Sequence, residues 1–187
     1  MAITNHLAQC TESVLTKARG IHMLVCDVDG VLTDGSIIYS ERGEELKIFD
    51  AQDGHGIKML LRAGVQVAII TGRASTAVTA RAENLGITDV YLQALKKIEA
   101  YHDLLQRKQL SEQAVCVIGD DLPDLPLLRR CGLSIAVPDS VPEVLACADY
   151  VTRRRGGHGA VREVCDLILK ARGLWSQVTD RYFQETA

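Results

Sequence analysis

The sequence predicts a three-layer α/β domain built on a doubly wound, Rossmann-like parallel sheet. Short apolar runs alternate along the chain with longer segments in which apolar residues recur at helical spacing. The runs are continuously apolar, which is typical of parallel strands that are covered on both faces. Strands that alternate with helices imply right-handed βαβ crossovers. In such a sheet ligands bind beyond the carboxyl ends of the strands.

The elements follow in chain order. A polar segment that contains Asn5 precedes a short helix ending near Arg19. The predicted buried strands are residues 21–28, 65–70, 115–118 and 133–137, with shorter candidates at 89–92 and 150–152. The predicted helices are residues 54–63, 75–85, 96–107, 122–130, 141–146 and 159–171.

Residues 35–50 interrupt this alternation. Two arms with apolar and aromatic residues flank Glu41-Arg42-Gly43, where Gly43 can adopt a positive φ. This pattern predicts a β-hairpin inserted after the first strand, which is too small to be a cap domain. We therefore predict one domain over residues 1–187, with the hairpin as a flap and a polar C-terminal tail over about residues 173–187.

Composition excludes several classes of function. The 187 residues carry a net charge of −3, whereas nucleic-acid-binding domains are normally basic. The longest apolar runs are much shorter than the ~18 residues of a membrane span. The six cysteines form no C-x-x-C pair, and no secretory signal is evident. We expect reduced thiols in a cytoplasmic protein that binds neither nucleic acid nor membrane.

Polar side chains follow three of the predicted strands. Asp27 and Asp29 come at the end of the first strand, Thr71-Gly72-Arg73 follows the second, and Asp120 and Asp121 follow the third. Carboxylates gathered at one sheet edge repel one another, so a cation is expected among them. An all-oxygen site without His or Cys suits Mg²⁺ rather than zinc. Of two aspartates spaced i, i+2, one can attack phosphorus while the other transfers protons.

These motifs resemble a known family. Residues 27–33 (DVDGVLT) resemble the first motif of the haloacid dehalogenase (HAD) superfamily of phosphohydrolases, and Thr71, Lys97 and Gly119-Asp120-Asp121 fall where its other three motifs occur. Among its branches, the chain resembles the capless 3-deoxy-D-manno-octulosonate 8-phosphate (KDO 8-phosphate) phosphatases. That resemblance is carried by DVDGVLTDG, GEELKIFDAQDGHGI, AIITGR, GDDLPDLP and YVTRRRGGHGAVREVCDLIL.

The resemblance implies a HAD core that has no cap domain. It also implies a specific activity. The activity is Mg²⁺-dependent hydrolysis of a sugar acid phosphate, KDO 8-phosphate, through an aspartyl phosphate, in lipopolysaccharide precursor synthesis by a cytoplasmic homotetramer. The resemblance implies that Asp27 is the nucleophile, that Asp29 is the general acid/base, and that Thr71 and Lys97 bind the phosphoryl group. Gly72, Arg73 and Asp29 would bind the substrate. Mg²⁺ would be bound by Asp27, the Asp29 carbonyl and Asp120, with Asp121 and Asp124 next to these ligands but not in contact with the ion.

One departure concerns the third motif. The family usually has Gln-Gly shortly before the motif lysine, whereas Leu92-Gln93 stands here and Lys96-Lys97 follows. Either lysine could therefore contact phosphate, and we favour Lys97.

Structural explanations compete with these roles. Asp29-Gly30 resembles a common turn, Thr71 could cap a helix, and Lys97 could be a solvated lysine. Arg73 could be a surface residue or could bind the substrate's carboxylate or phosphate. Others have a structural and a functional interpretation: Asp121 and Asp124 as helix-start or metal-supporting residues, Asp53 as an N-cap, His55 as a packing residue, and Arg153–Arg155 as a solvated run or a carboxylate site.

Three other functions remain open at this point. The same chemistry could act on a sialic-type nine-carbon sugar acid 9-phosphate. A phosphotransferase or phosphomutase would pass the phosphoryl group to a second sugar. A non-catalytic assembly module would use the fold alone, although such a module needs no nucleophile.

Overall fold

A computed structural model describes residues 10–183 and contains a six-stranded parallel sheet. The sheet strands are β1 (Met23–Cys26), β4 (Gln66–Ile70), β5 (Asp89–Tyr91), β6 (Val115–Gly119), β7 (Leu133–Ala136) and β8 (Tyr150–Val151). Their order is β5-β4-β1-β6-β7-β8. The chain winds from β1 to one edge and then returns to build the other, so the switch point lies beside β1. The predicted fold class is confirmed.

Helices cover both faces of this sheet. They are α1 (Glu12–Arg19), α2 (Ala51–Arg62), α3 (Thr76–Leu85), α4 (Lys97–Lys108), α5 (Leu125–Leu128), α6 (Pro142–Cys147), α7 (Ala160–Ala171) and α8 (Trp175–Thr179). Alternate β1 side chains enter different cores: Leu24 and Cys26 pack in the cluster that includes α2 and α7, while Met23 and Val25 pack with α4 and α5. Burial on both faces explains the continuously apolar strands.

The inserted hairpin consists of β2 (Ile38–Tyr39) and β3 (Glu45–Leu46), which pair antiparallel. Gly43 in its turn has φ +77°, as the turn requires. The described residues contain no cap domain, in agreement with the sequence. They also contain no helix that is both long and apolar enough to cross a bilayer.

The helix predicted at residues 122–130 is broken in the structure. Leu122–Asp124 is a 3₁₀ turn, and the α-helix that follows is limited to Leu125–Leu128. Pro123 and Pro126 explain the difference, because proline lacks an N–H and is tolerated only in the first turn of a helix. The prediction of one continuous helix was therefore wrong.

Asp53 is not the N-cap of its own helix. Asp50 is the N-cap of α2, and its Oδ1 accepts hydrogen bonds from the N–H groups of Gln52 (2.6 Å) and Asp53 (3.0 Å). Asp53 lies one turn further and is buried, and its Oδ1 accepts from the N–H of Arg162 (2.6 Å) in the first turn of α7. The N-cap of α7 is Gly159, which has no side chain to use. Asp53 therefore caps α7 across the helix interface.

This arrangement predicts a pH-dependent contribution to stability. Burial raises the pKa of Asp53 to about 6 from an ordinary value of 3.8. The folded protein thus retains a proton that the unfolded chain has lost, and the stability linked to Asp53 decreases as the pH rises from about 4 through 6. Asp53→Asn keeps an acceptor for Arg162 but does not titrate. Relative to the wild type, the variant should gain about 2 kcal/mol between about pH 4.5 and 7.5, measured by denaturant unfolding; a pH-independent difference would contradict this.

The predicted C-terminal tail is ordered in its described part. Trp175–Thr179 is helical and Asp180–Tyr182 forms a 3₁₀ turn, with Val178 buried against the core. The Tyr182 hydroxyl lies 3.0 Å from Nε2 of His55. His55 therefore contacts the C-terminal segment, as expected of a packing residue. Residues 184–187 and the polar segment around Asn5 lie outside the described residues.

Candidate active site

The carboxyl ends of the three central strands open into a cavity of about 260 Å³. Asp27 follows β1, Thr71 follows β4 and Asp120 follows β6, and these strands are neighbours. The structure thus brings every predicted site residue to one place. The lining comprises Asp27, Asp29, Thr71, Gly72, Arg73, Ala94, Leu95, Lys97, Asp120, Asp121, Pro123 and Asp124.

Lys97, rather than Lys96, projects into the cavity. Its Nζ lies 2.8 Å from Oδ1 of Asp27 and 2.7 Å from Oδ1 of Asp124, and its side chain is 5% exposed. Lys96 is 76% exposed and pairs with Glu99 on the outside of the helix. Successive residues at the start of α4 point in different directions, so only one of the two lysines can face the sheet edge.

The charges of the site do not balance. Burial, together with the neighbouring Asp124 carboxylate, raises the pKa of Asp27 to about 6. Burial and the charges of Asp27 and Asp124 raise the pKa of Asp120 to about 8. Burial opposes the charge on Lys97, but Asp27 and Asp124 outweigh it and raise the pKa of this lysine. Lys97 is therefore a cation, and a second cation is needed to keep all three carboxylates ionised.

The oxygen atoms fit a small divalent cation. Asp27, Asp120 and Asp124 each offer a carboxylate oxygen within 4.8 Å of the others. Asp120 Oδ1 is buried without a hydrogen-bond partner among the described residues, as a metal-binding oxygen would be. Asp124 differs, because Lys97 binds its Oδ1 and the N–H groups of Asp120 (3.1 Å) and Asp121 (3.4 Å) bind its Oδ2. A magnesium ion therefore fits best on Asp27 and Asp120. Asp124 instead holds Lys97 and the backbone of Asp120 and Asp121 in place.

Gly30 allows Asp120 to approach Asp27. It has φ +91°, and a Cβ at this position would lie 2.2 Å from Oδ2 of Asp120. The glycine of the first motif is thus required both by its backbone conformation and by the space that the Asp120 carboxylate occupies.

Gly30→Ala should therefore displace Asp120. We expect kcat/KM to fall by about 10²-fold or more and the Mg²⁺ concentration for half-maximal activity to rise, because small misplacements of a catalytic group are costly. Gly43→Ala is the matched control, since Gly43 also has positive φ but no atom of residues 10–183 lies within 4 Å of the Cβ that alanine would add. The control should lose only about 1–2 kcal/mol of stability. Equal kinetic losses in both variants would show that backbone strain, and not Asp120, is responsible.

The glycines of the C-terminal motif pack against the loop that carries Asp29. The N–H of Gly157 donates to the Val31 carbonyl (2.9 Å), and a Cβ at Gly156 would overlap the Gly30 carbonyl. The adjacent arginines point elsewhere. Arg154 binds Gln52 (2.6 Å) and Arg155 pairs with Asp139 (3.3 Å).

Arg153 and Arg154 line a different cavity, of about 380 Å³, along α7. Within one chain, the structure therefore does not bring these two arginines to the catalytic cavity.

Sequence reasoning missed two residues of the hairpin. Lys47 contacts Oδ1 of Asp29 and lies 2.8 Å from Oε1 of Glu45, while Oε2 of Glu45 lies 2.5 Å from the Arg73 guanidinium. Glu45 and Lys47 are spaced i, i+2, so both side chains point to one face of the strand. Two opposite charges at this spacing on the second arm of the hairpin were the available signal.

Comparisons with known proteins identify the family of the chain. The haloacid dehalogenase-like hydrolase family profile matches residues 85–164. The 3-deoxy-D-manno-octulosonate 8-phosphate phosphatase of Yersinia pestis is 47% identical over 175 residues, which cover 91% of this chain and 94% of that protein. The chain belongs to this phosphatase family. Membership in the 3-deoxy-D-manno-octulosonate 8-phosphate phosphatase family confirms the resemblance inferred from the motifs, and makes the chain a phosphoric monoester hydrolase of the HAD type.

Solved structures of the phosphatase family share the fold. The crystal structure of the Yersinia pestis phosphatase superposes with a TM-score of 0.86 at 49% identity, covering 87% of this chain and 88% of that one. The Moraxella catarrhalis phosphatase, solved with a magnesium ion, a phosphate ion and a KDO molecule, gives a TM-score of 0.90 at 41% identity, with 93% and 99% covered.

Proposed function

We propose that this chain hydrolyses KDO 8-phosphate to KDO and inorganic phosphate, with Mg²⁺ as cofactor, as a step in lipopolysaccharide precursor synthesis. The observation that carries the proposal is the buried Lys97 between Asp27 and Asp124, beside the unpaired oxygen of Asp120, in a chain of this family. The proposal gives each side chain of the cavity a role.

Asp27 is the nucleophile in this proposal. Its carboxylate forms a bond to phosphorus as the bond from phosphorus to the sugar oxygen breaks, and Asp29 donates its proton to that departing oxygen. Asp29 then accepts a proton from the water that attacks the aspartyl phosphate. The second displacement releases inorganic phosphate and restores the Asp27 carboxylate.

The remaining residues of the cavity stabilise negative charge on the phosphoryl group or support the groups that do so. Asp27, Asp120 and the Asp29 carbonyl would hold Mg²⁺, which when bound neutralises charge on the phosphoryl oxygens. Lys97, whose Nζ lies 2.8 Å from Oδ1 of Asp27, supplies a second positive charge. The Thr71 hydroxyl accepts from the N–H of Arg73 (3.4 Å), so its own proton is available to a phosphoryl oxygen. Asp121 and Asp124 support the metal ligands and Lys97.

The sugar end of the cavity suits an acidic substrate. The Arg73 guanidinium is partly exposed beside Gly72 and already binds a carboxylate, that of Glu45. A guanidinium binds carboxylates through paired hydrogen bonds, so Arg73 is the residue that would receive the carboxylate of a sugar acid. This contact favours sugar acid phosphates over neutral sugar phosphates. It does not separate the eight-carbon acid from a sialic-type nine-carbon one.

A homotetramer is the proposed assembly, and one catalytic domain over the whole chain is its unit. Ile37, Tyr39, Leu46 and Ile48 leave an exposed apolar surface on the hairpin, beside a cavity that no cap covers. Neighbouring subunits would bury this surface and enclose the substrate. A fully active monomer in analytical ultracentrifugation would contradict the proposal. Six unpaired cysteines support a cytoplasmic location.

The decisive experiment measures phosphate release from KDO 8-phosphate, a sialic-type 9-phosphate and glucose 6-phosphate, each with Mg²⁺ and with a chelator. We expect Mg²⁺-dependent release, fastest from KDO 8-phosphate and slowest from the neutral sugar. Faster release from the nine-carbon ester would change the substrate but not the chemistry. Release that requires an added sugar acceptor would indicate a phosphotransferase, and no release from any ester would support a non-catalytic module.

A further inference from the structure

The hairpin, residues 35–50, contains a lysine whose side chain is withdrawn from solvent. Most of its large side chains are exposed, including Ile37, Tyr39 and Ile48, whereas the Lys47 side chain is 2% exposed. Removing an ammonium group from water is costly unless it is paired and hydrogen-bonded. The Lys47 ammonium group therefore needs a partner of opposite charge inside the domain.

That partner is the proposed general acid/base. The Lys47 ammonium contacts Oδ1 of Asp29, and it also lies 2.8 Å from Glu45. Arg73 completes the group, with its Nε 3.7 Å from Oδ2 of Asp29 and its other end on Glu45. Two carboxylates and two cations thus form a closed ring that joins the hairpin to the catalytic cavity.

The ring acts unequally on the two oxygens of Asp29. Lys47 contacts Oδ1 at hydrogen-bonding range, whereas the nearest Arg73 nitrogen is 3.7 Å from Oδ2 and forms no close hydrogen bond. Asp29 lies in the loop after β1, where its side chain would otherwise be free to rotate. An Asp29 carboxyl group that is held at Oδ1 presents Oδ2, the oxygen that carries the transferred proton, in a fixed direction, which is what proton transfer to a leaving oxygen requires.

We propose that Lys47 is a positioning residue that fixes the Asp29 carboxyl group for proton transfer. The inference rests on the proposed function, in which Asp29 protonates the departing sugar oxygen. Lys47 touches neither phosphorus nor the leaving group in this role, and acts only through Asp29. Its effect must therefore be largest on the step that needs an acid.

The leaving group provides the test. An alkoxide such as a sugar oxygen must be protonated as it leaves, whereas p-nitrophenolate leaves without a proton. In Lys47→Met, we expect the single-turnover rate of phosphoryl transfer from KDO 8-phosphate to fall roughly 10–100-fold, a part of the typical 10²–10⁴-fold of general acid catalysis. The same rate from p-nitrophenyl phosphate should fall less than about threefold, and KM for KDO 8-phosphate should change little.

Arg42→Met is the matched control, because it removes an exposed cation from the tip of the same hairpin. It should resemble the wild type with both esters. Equal losses with both esters in Lys47→Met, a rise in KM alone, or the same losses in Arg42→Met would each overturn the inference. A failure of the proposed function would look different, since the wild type itself would then release no phosphate from KDO 8-phosphate.

Discussion

Replacing Asp27 by asparagine should lower kcat for KDO 8-phosphate by at least about 10⁴-fold and leave the fold intact. The amide has nearly the shape of the carboxylate but lacks the charged oxygen that forms the bond to phosphorus. The substitution also removes a buried charge that repels the carboxylates of Asp120 and Asp124, so it should not destabilise the fold. The measurement is steady-state phosphate release, with thermal unfolding of the same sample to establish that the variant is folded.

Asp34→Asn is the matched control for this variant. Asp34 belongs to the same loop but is exposed, and its Oδ1 accepts a local hydrogen bond from the N–H of Ser36. The control should keep wild-type activity. Acid-quenched wild-type enzyme should carry a phosphoryl group on the peptide that contains Asp27, and the Asp27→Asn enzyme should carry none. A variant that turns over at the wild-type rate would exclude Asp27 as the nucleophile.

The fold could be predicted because its central strands are apolar on both faces. Residues 21–28 and 65–70 contain β1 and β4, residues 115–118 form all of β6 except Gly119, and polar site residues stand at or just after the end of each run. Once these strands are parallel and adjacent, their carboxyl ends meet, and the positions of Asp27, Thr71 and Asp120 follow. The site was therefore predictable to the extent that it is attached directly to strand ends.

Residues that reach the site from elsewhere were harder to find. Lys47 approaches Asp29 only after the hairpin has folded back over the sheet edge, and local sequence patterns do not encode that docking. One of the two interpretations of Asp53 made it the N-cap of its own helix, but its side chain is buried and accepts a hydrogen bond at the N-terminus of α7. In both cases the deciding contact joins two different elements of the fold, and composition and periodicity do not identify the partner residue.

The choice between Lys96 and Lys97 could not be decided from sequence either, because it depends on where α4 begins. A shift of one residue rotates the helix by about 100° and would exchange the buried and exposed lysines. The structure starts α4 at Lys97, and this residue alone of the two contacts Asp27. Substitution of each lysine in turn therefore compares a buried lysine with an exposed one at adjacent positions.

Lys97→Met should damage both catalysis and stability, whereas Lys96→Met should change neither appreciably. We expect a loss of about 10³-fold or more in kcat, since charge stabilisation is the main help that phosphoryl transfer receives. Without Mg²⁺, the free energy of unfolding should fall by about 3–5 kcal/mol, because removing one partner leaves buried charges uncompensated. Asp27 and Asp124 are the charges left behind, and both lie within 2.8 Å of the ammonium in the wild type.

Mg²⁺ distinguishes the electrostatic cause from a packing defect. A divalent cation on Asp27 and Asp120 would replace part of the missing positive charge, so saturating Mg²⁺ should stabilise Lys97→Met more than it stabilises the wild type. Methionine fills most of the lysine's volume, and a cavity would not respond to the ion. Denaturant unfolding of both lysine variants with Mg²⁺ and with chelator gives the comparison. If Mg²⁺ stabilised all three proteins equally, the account of Lys97 as the counter-charge of Asp27 and Asp124 would be wrong.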